Sequence, residues 1–377
     1  MEFLTECNKC GKCKETCPGY QAFLKESFSP RGRLRLAKAL QEKEILYDES
    51  LKKRFFSCLL CGSCETSCPL NINITSILYR ARTESKKTLL QYLFKYFSLY
   101  PHIFFSILSI LNRFDKFMSI INLPYFNRIS SLEIKPQSNS LQVHSKVKPA
   151  GRIAIFLGCT SKYLIPSITE ALIYILNWLN YEVIVPKQHC CGAPLLSAGF
   201  EKEAKNLAIK NLEVYKSFNI DGILTPCPTC AHFIGDVYKE LIGEKLKVLK
   251  LADLFREKDR EISGQYKGNA FFHISCHTSN YVKDSDDILS LLQKFGYNAQ
   301  KKTGCCGFGG LFSFLFEKQS MDILRKKVLE YEKADMIISS CPNCIIQFKL
   351  AMKNKKIVHY AEAIEKILKG AKNGRAF

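Results

Sequence analysis

The chain has 377 residues, 47% of them hydrophobic, and is therefore long enough for two or three domains with apolar cores. Its formal net charge is +20, but no nucleic-acid-binding motif accompanies the scattered lysines and arginines, so we expect no nucleic-acid partner. Solvated lysine-rich faces explain this charge most simply, and an acidic partner protein or an anionic membrane surface would also fit it.

The eighteen cysteines are several times the ordinary number for a chain of this length. Met1 to Thr16 contains no basic region followed by an apolar one, so it does not read as a signal peptide. We therefore expect a reducing compartment, where thiols persist as metal or cluster ligands rather than as disulfides. The expected location is the cytoplasm, with association to the inner face of the cytoplasmic membrane as an option.

The first region, residues 1–85, is predicted to be an α-helical domain without strands. Helices are expected from Arg33 to Lys43, where leucine and alanine recur on one face, and from Ile72 to Arg82. Two cysteine runs, CNKCGKCKETCP and CLLCGSCETSCP, fall in this region. Both match the C-x2-C-x2-C-x3-C-P run of bacterial two-cluster ferredoxins, which is a specific signal for two 4Fe-4S clusters.

The ligand assignment follows from that match, because the fourth cysteine of each run ligates the other cluster in two-cluster ferredoxins. The first cluster is assigned to Cys7, Cys10, Cys13 and Cys68. The second cluster is assigned to Cys58, Cys61, Cys64 and Cys17. A pair of zinc sites is the alternative, although zinc typically needs only four ligands in two separated pairs.

The second region, residues 86–148, contains no cysteine. Leu89 to Ile121 is rich in Phe, Leu and Ile, but Pro101 and charged residues interrupt it, which is unfavourable for a spanning helix. We interpret it as helices that are buried or face a partner, with Phe104 and Phe105 on a docking surface; interfacial membrane contact and a true span are the alternatives. Ser130 to Pro149 is predicted to be a linker.

The remainder is a duplicated unit, assigned to residues 149–258 and 268–377. Short β-branched runs alternate with amphipathic segments in the same order in both units, which predicts βαβ elements and small parallel sheets. Helices are expected at Pro166 to Leu179, Glu201 to Phe218, Asp286 to Phe295 and Met321 to Glu332. The predicted fold class is therefore α/β, with an N-terminal all-α two-cluster ferredoxin domain followed by two repeated small α/β domains.

Five cysteines recur in register in each unit, just after predicted strands, where open α/β sheets place their sites. The first unit has Cys159, Cys190, Cys191, Cys227 and Cys230. The second unit has Cys276, Cys305, Cys306, Cys341 and Cys344. Vicinal thiols do not easily enter one tetrahedral zinc site, whereas a cluster of several metals can take both. We expect one further iron–sulfur cluster in each unit, of noncubane 4Fe-4S type as one form; buried structural cysteines are the alternative.

Other residues in the two units fit a cofactor site. Gly192 and Gly307 follow the cysteine pairs, as expected of a turn that passes close to a cofactor. Pro228 and Pro342 stiffen the Cys-Pro-x-Cys turns. Four histidines lie beside the cysteines, where they can tune a cluster or simply pack: His189, His232, His273 and His277.

The residues resemble the iron–sulfur subunits of the glycolate oxidase family and, more broadly, proteins with cysteine-rich CCG domains. The similarity rests on CNKCGKCKETCPGY with SPRGRLRLAKAL, on CLLCGSCETSCPLNINI and on the two Cys-Cys-Gly modules, and it covers nearly the whole chain. The resemblance implies an electron relay: an FAD-containing partner oxidises a 2-hydroxy acid such as glycolate or lactate, and electrons pass through the clusters to a quinone or another acceptor. It implies an oxidoreductase subunit that does not act on the substrate by itself, and we assign no catalytic residue.

Two related groups share this layout: the iron–sulfur subunit of anaerobic glycerol-3-phosphate dehydrogenase and the catalytic subunit of heterodisulfide reductases. The second module here keeps both Cys341 and Cys344, where glycolate-type subunits often retain a single cysteine. Reduction of a disulfide at a CCG-bound cluster is therefore the alternative function, and a non-catalytic cluster-bearing scaffold is a third. No G-x-G-x-x-G flavin signature is present after a predicted strand, so the flavin is expected on the partner.

Overall fold

The computed structural model of the protein describes residues 7–111, 141–256 and 266–372. Residues 7–111 contain helices and no strand, as predicted. The elements of the first region are α1 (Lys12–Glu15), α2 (Pro18–Phe23), a 3-10 turn (Glu26–Phe28), α3 (Pro30–Gln41), α4 (Glu49–Phe56), α5 (Ser63–Thr66) and α6 (Ile74–Thr83).

The two predicted helices of this region are α3 and α6, and both begin at side-chain caps. The Ser29 hydroxyl accepts the Gly32 N–H at 3.0 Å, and the Asn73 side chain accepts the Ser76 N–H at 3.0 Å. Helix α3 starts earlier than predicted because Pro30 suits the first helical position, where its missing N–H costs nothing. The apolar faces of both helices enter one core, at whose edge most of the first eight cysteines lie.

Residues 86–111 form two helices, α7 (Leu89–Leu99) and α8 (Pro101–Leu111). Phe105 is buried, and its ring stacks on Tyr163 of the first unit with the ring centroids 4.8 Å apart. The expectation that Phe104 and Phe105 form a docking surface is therefore wrong, because Phe105 packs inside the chain's own core and Phe104 lies against it at 5.0 Å. The part of this prediction beyond Leu111, up to Ile121, lies outside the described residues.

The outer faces of α7 and α8 remain apolar and exposed. The exposed side chains are Leu89, Tyr92, Leu93, Tyr96, Tyr100, Ile103, Ile107 and Ile110, which we call the outer face. No helix in the described part of the chain is long and apolar enough to cross a membrane. The two helices thus have apolar side chains on both sides, with phenylalanine rings directed into the protein and aliphatic and tyrosine side chains directed outward.

The predicted linker is partly structured. Its segment from Ser130 to Ser140 lies outside the described residues, but Gln142–His144 forms β1, which pairs antiparallel with the edge of the first sheet. This corrects the linker prediction for its second half. The alternating residues of β1 are largely exposed, so no apolar pattern marked it in the sequence.

Each unit contains a four-stranded sheet. The first has β1, β2 (Arg152–Ile155), β3 (Glu182–Val185) and β4 (Gly222–Leu224) in the order β1-β3-β2-β4. The second has β5 (Ala270–Ile274), β6 (Gln300–Thr303), β7 (Met336–Ser339) and β8 (Lys356–His359) in the order β6-β5-β7-β8. Apart from β1, all neighbouring strands are parallel, so the carboxyl ends of the central strands meet at one edge of each sheet.

The helices of the units cover these sheets, and four of them agree with the four predicted helices to within a few residues. Those of the first unit are α9 (Gly158–Tyr163), α10 (Ser167–Trp178), α11 (Ala193–Ser197), α12 (Glu201–Lys216), α13 (Pro228–His232), a π-helical turn (Phe233–Val237), α14 (Tyr238–Ile242) and α15 (Leu251–Arg256). Those of the second unit are a π-helical turn (Thr278–Val282), α16 (Ser285–Lys294), α17 (Leu311–Leu315), α18 (Glu317–Leu329), α19 (Pro342–Ala351) and α20 (Tyr360–Lys372). The four that agree with predicted helices are α10, α12, α16 and α18.

The two units share a hydrophobic core. One continuous cluster of buried side chains contains residues of β2 and α10 from the first unit together with residues of β5, α16 and α20 from the second. Helix α10 of the first unit packs against α20, the last helix of the second unit. The two sets of cysteines are therefore held in a fixed relation, whatever boundary is drawn between the units.

Arg82 joins the helical region to the first unit. Its guanidinium is buried and donates to the carbonyl oxygens of Phe55 at 2.9 Å, Cys58 at 2.6 Å and Ser197 at 2.8 Å. It also lies over the Phe56 ring at 4.9 Å. One side chain thus satisfies three buried acceptors from two parts of the chain.

We expect Arg82→Ala to lower the free energy of unfolding by about 2–4 kcal/mol, because three buried carbonyl groups lose a charged donor. The measurement is the thermal unfolding midpoint of protein prepared without oxygen. Arg325→Ala, which removes a solvent-exposed arginine of α18, is the matched control and should leave the midpoint almost unchanged. Equal midpoints for the two variants would contradict the structural role of Arg82.

Candidate metal centres

The first eight cysteines line two cavities, each of which draws its thiols from both runs. Cys7, Cys10 and Cys13 of the first run share a cavity with Cys68 of the second. Cys58, Cys61 and Cys64 share the other cavity with Cys17. The structure therefore brings together the two groups of four that the sequence pattern predicts.

The backbone of each run explains why three thiols converge. Lys9 and Gly11 have φ values of 61° and 87°, and the corresponding Leu60 and Gly62 have φ values of 55° and 75°. These left-handed residues curl each loop so that its cysteines face one side. Gly62 also permits close packing, because a Cβ atom there would lie 2.6 Å from the ring of Tyr281.

Cys17 is the fourth thiol of the second cavity, and two nitrogen donors lie near its sulfur. It caps α2, where its Sγ accepts the Tyr20 N–H at 3.3 Å. The buried Arg33 guanidinium lies 4.0 Å from the same sulfur and is fixed by the Ser57 carbonyl at 3.1 Å. Burial nevertheless raises the pKa of the Cys17 thiol, and Arg33 offsets part of this rise.

All eighteen cysteines are free thiols. Four thiols around one cavity are the donor set that a 4Fe-4S cluster takes, so the residues of both cavities fit that group. Within residues 7–111, 141–256 and 266–372, no three His, Cys, Asp or Glu side chains are arranged to hold a single metal ion.

In each unit the cysteines lie at the carboxyl ends of the strands and contact one another. Hydrogen bonds link the thiol of Cys190 to those of Cys159 and Cys191, and the Cys191 thiol to that of Cys230. In the second unit the Cys344 and Cys306 sulfurs are 3.2 Å apart, and the Cys276 and Cys305 thiols are hydrogen-bonded. Each unit thus gathers its five predicted cysteines.

The two sets of cysteines meet at the unit boundary. The Cys227 thiol of the first unit and the Cys341 thiol of the second are hydrogen-bonded to each other. Thr160, next to Cys159, donates to the side-chain oxygen of Asn343 at 2.8 Å across the same boundary. The two sets of five cysteines therefore adjoin each other at the boundary between the units.

Hydrogen bonds between thiols decide which of them ionise most easily. Bonds from Cys190 and then Cys230 lower the pKa of Cys191 to about 6. A bond from Cys276 lowers the pKa of Cys305, and bonds from Cys227 and Cys344 lower that of Cys341. Since a metal ligand must be the thiolate, both units contain a thiol prepared for this state.

A cavity of about 240 Å³ lies between the two units and the α7–α8 pair. Cys159 and Cys190 of the first unit and all five cysteines of the second unit line it. Aromatic side chains form much of the rest of its wall, namely Phe94, Phe97, Phe104, Phe105, Phe308 and Phe314. Thiols and an apolar wall therefore line one cavity, which we call the central cavity.

The second cavity of the helical region adjoins the second unit. The Asn280 side chain donates to the Cys61 carbonyl at 2.8 Å and to the Ser63 hydroxyl at 3.1 Å. The charge of Cys305 acts on Cys61, and that of Cys61 acts on Cys276, so these thiols are electrostatic neighbours. Sequence reasoning missed Asn280, because no motif or periodicity distinguishes it.

Of the four histidines, the described contacts bring one to a cysteine sulfur. His277 Nδ1 is 3.5 Å from the Cys276 sulfur, and burial lowers the pKa of His277 to about 3, so the ring is neutral. His232 stacks on Tyr281 with ring centroids 3.8 Å apart, and His273 bonds the Tyr331 hydroxyl at 2.7 Å. For these two, packing is the observed role.

The cysteine motifs match two family models. Residues 3–72 match the model of the 4Fe-4S dicluster domain, and residues 153–235 and 270–349 each match that of the cysteine-rich domain. The chain is 24% identical, over 96% of its own length and 93% of the relative's, to the "Probable glycolate oxidase iron-sulfur subunit" of Bacillus subtilis (strain 168). It is 28% identical to "Lactate utilization protein A 2" of Bacillus cereus (strain Q1), over 57% of this chain and 98% of that protein.

The fold is also similar to a solved structure. A hypothetical protein from Helicobacter pylori superposes with a TM-score of 0.52 at 12% identity, covering 90% of this chain and 68% of that one. This likeness concerns the fold alone. The chain therefore combines a 4Fe-4S dicluster domain with two cysteine-rich CCG domains, and its similarity to the full-length relative supports an iron–sulfur oxidoreductase subunit.

Proposed function

We propose that this chain is the electron-relay subunit of an FAD-linked 2-hydroxy-acid oxidoreductase of the glycolate or lactate type. In this proposal it passes electrons from a flavin-containing partner to a quinone or another acceptor. The names of the two relatives support the substrate class. The observation that carries the proposal is that four groups of cysteines adjoin one another from the protein surface to the central cavity.

Neighbouring groups of cysteines are connected through residues that line two cavities at once. Cys10 is exposed, so the first cavity opens at the surface. Ile74 lines both the first and the second cavity, and Leu59 lines both the second and the central cavity. The thiols of Cys61 and of Cys305 in the second unit are electrostatic neighbours. This order suits entry of electrons at the exposed first group and exit at the central cavity.

We assign the thiols as ligands in the groups that the cavities define. Cys7, Cys10, Cys13 and Cys68 hold the first 4Fe-4S cluster, and Cys17, Cys58, Cys61 and Cys64 hold the second. The five cysteines of each CCG unit hold one further cluster. Bound in these places, such clusters accept and release single electrons. The protein supplies N–H donors to the sulfurs, for example from Leu60 to Cys58 and from Gly307 to Cys305, both at 3.3 Å.

The partner is required by the chemistry of the substrate. Oxidation of a 2-hydroxy acid removes a hydride equivalent, and thiol-bound clusters offer no hydride acceptor. A flavin does, and the chain lacks a flavin-binding signature of its own. We therefore place oxidation of the substrate on the FAD subunit and the subsequent electron transfer on this chain.

Reduction of a small disulfide is the second candidate function. The observation that favours it is the central cavity, where an apolar wall faces thiols of both units, including both Cys341 and Cys344. A disulfide in that cavity would contact the proposed ligands directly. The two functions differ in whether the isolated chain turns over a substrate.

We further propose peripheral membrane contact through the outer face of α7 and α8. Residues 85–111 contain three lysines and no acidic residue, and the whole chain carries +20 charges, which complements an anionic bilayer. Tyrosines that suit the interfacial layer lie among the exposed aliphatic side chains. The inner faces of the same helices line the central cavity, so a lipid-soluble acceptor would have the shortest route to the thiols from this side.

The ligand grouping predicts that Cys17→Ser and Cys58→Ser disturb the same cluster, because their thiols line the same cavity. The electron paramagnetic resonance spectra of the two reduced variants should match, and each should lose about four of about sixteen irons. Cys10→Ser is the control and should change the other cubane signal. A Cys17→Ser spectrum that resembles that of Cys10→Ser would refute the exchange of the fourth ligand between the runs.

The relay function predicts that the purified chain accepts electrons from a strong reductant but does not oxidise glycolate or lactate. Activity should appear with the FAD subunit, and Cys306→Ser should then block reduction of the terminal acceptor while the flavin is still reduced by substrate. Ser217→Ala, which removes an exposed hydroxyl distant from the cysteine motifs, should behave like the unaltered chain. Sustained reduction of a small disulfide by the isolated chain would favour the second candidate instead.

Membrane contact predicts that Leu93→Glu with Ile107→Glu weakens binding to anionic phospholipid vesicles by at least about tenfold, since each carboxylate must leave the apolar layer. Cosedimentation with vesicles measures this, and iron content should stay unchanged. Leu329→Glu, at an exposed position on α18, is the matched control. If the double variant binds vesicles normally and loses the FAD subunit, the outer face is a protein-docking surface.

A further inference from the structure

His359 lies at the boundary of the two CCG units. It is the last residue of β8 and is 0% exposed. Its Nε2 atom lies 3.0 Å from the carbonyl oxygen of Pro226 in the first unit. The same nitrogen lies 3.1 Å from the carbonyl oxygen of Ser340 in the second unit. One ring nitrogen therefore contacts both units.

The hydrogen bonds of His359 determine which of its ring nitrogens carries the proton. His359 Nδ1 accepts the backbone N–H of Ala361 at 3.2 Å, so Nδ1 carries no proton. Because Nδ1 is the acceptor of this bond, the single proton of the ring lies on Nε2. The Nε2–H group is therefore shared between the two carbonyl oxygens as a three-centre hydrogen bond.

Both carbonyl groups belong to the Cys-Pro-x-Cys turns. Pro226 directly precedes Cys227, and Ser340 directly precedes Cys341. The backbone angles of the two cysteines are nearly identical, with φ of −119° and ψ of 115° for Cys227 and φ of −118° and ψ of 114° for Cys341. The duplication has thus produced two copies of one turn, and a single imidazole joins them.

In each of the two turns, a side-chain hydroxyl also accepts a hydrogen bond from the backbone N–H of the cysteine. The Thr225 hydroxyl accepts the Cys227 N–H at 3.4 Å, and the Ser339 hydroxyl accepts the Cys341 N–H at 3.2 Å. These bonds lie within each turn and cannot orient one turn against the other. His359, by contrast, bonds the Ser340 carbonyl within its own unit and the Pro226 carbonyl across the boundary, where the Cys227 and Cys341 thiols meet.

We propose that His359 is a positioning residue that holds the Cys227 and Cys341 turns in register, so that one side chain sets the ligand geometry of both CCG units. The inference rests on the proposed ligand role of these two cysteines. Without the Nε2–H donor, two buried carbonyl oxygens would lack a partner, and the turns would separate or rotate to find one. The ligand geometry of both cysteine sets would then change, although the substitution lies in the second unit alone.

Two substitutions of similar size separate the two hydrogen bonds of the ring. His359→Gln places an amide N–H near the position of Nε2 and retains the donor for the carbonyl oxygens. His359→Asn is too short to reach them, while its amide oxygen lies near the position of Nδ1. His273→Asn is the control, because His273 is an equally buried histidine of the second unit that bonds Tyr331 rather than either turn.

The experiment compares electron paramagnetic resonance spectra of the full chain, reconstituted without oxygen, with Cys190→Ser and Cys306→Ser serving to identify the signals of the two CCG units. His359→Asn should change the g values of both CCG signals and leave the two ferredoxin-type signals unaltered. His359→Gln should restore spectra like those of the unaltered chain, and His273→Asn should leave the signal of the first unit unchanged.

A change in the second unit alone, or no change in either, would overturn the role of His359. If His359→Asn does not fold, His359→Gln decides the question, because altered CCG signals in that variant contradict the proposal and unaltered signals support it. Failure of the proposed function would look different: the unaltered chain itself would show no CCG signals and would bind about eight irons.

Discussion

The contact between the thiols of Cys227 and Cys341 is the constraint on which much of the structure depends. It requires the carboxyl edges of two separate sheets to face each other, and this in turn requires α10 and α20 to pack across the boundary. A shared hydrophobic core supplies the stability for that arrangement, since apolar burial is the largest favourable term available to a chain of this size. Hydrogen bonds of Thr160 and His359 across the boundary then orient the two units relative to each other.

Electrostatics explains why such a concentration of thiols is costly for the folded chain alone. Burial raises the pKa of Cys17 and Cys64, so their thiolate forms are disfavoured in the apolar interior. The chain offsets this with local donors: backbone N–H groups, the Arg33 guanidinium and neighbouring thiols. Ligands that must lose protons in a buried place couple metal binding to folding, because metal charge replaces the protons.

The α7–α8 pair has one side in the protein interior and the other side exposed. Aromatic rings on its inner side complete the wall of the central cavity, while aliphatic and tyrosine side chains on its outer side face away from the protein. An amphipathic helix normally buries one apolar stripe and exposes a polar one. Here both sides are apolar, which is why composition alone could not distinguish a core segment from a surface that binds a partner or a membrane.

The sequence by itself determined the fold class, the helices α3, α6, α10, α12, α16 and α18, and the central strands of both units, but not α19 and α20. These follow from local rules: periodicities of 3.6 and 2 residues, caps such as Ser29, and the short spacing of cysteines in each run. Strand β6 was missed because its side chains are mostly exposed and show no apolar alternation, and β8 was not predicted either. The exchange of Cys17 and Cys68 could be predicted only because the motif itself encodes it.

Only the tertiary structure decided which distant groups meet. Phe105 turned out to be buried against Tyr163, Asn280 to hold the Cys61 loop, and His359 to join two turns from different units. None of these residues has a local signature, because each acts through contacts with segments far away in the chain. Such contacts depend on how the two sheets and their helices pack together, and local sequence patterns do not encode that packing.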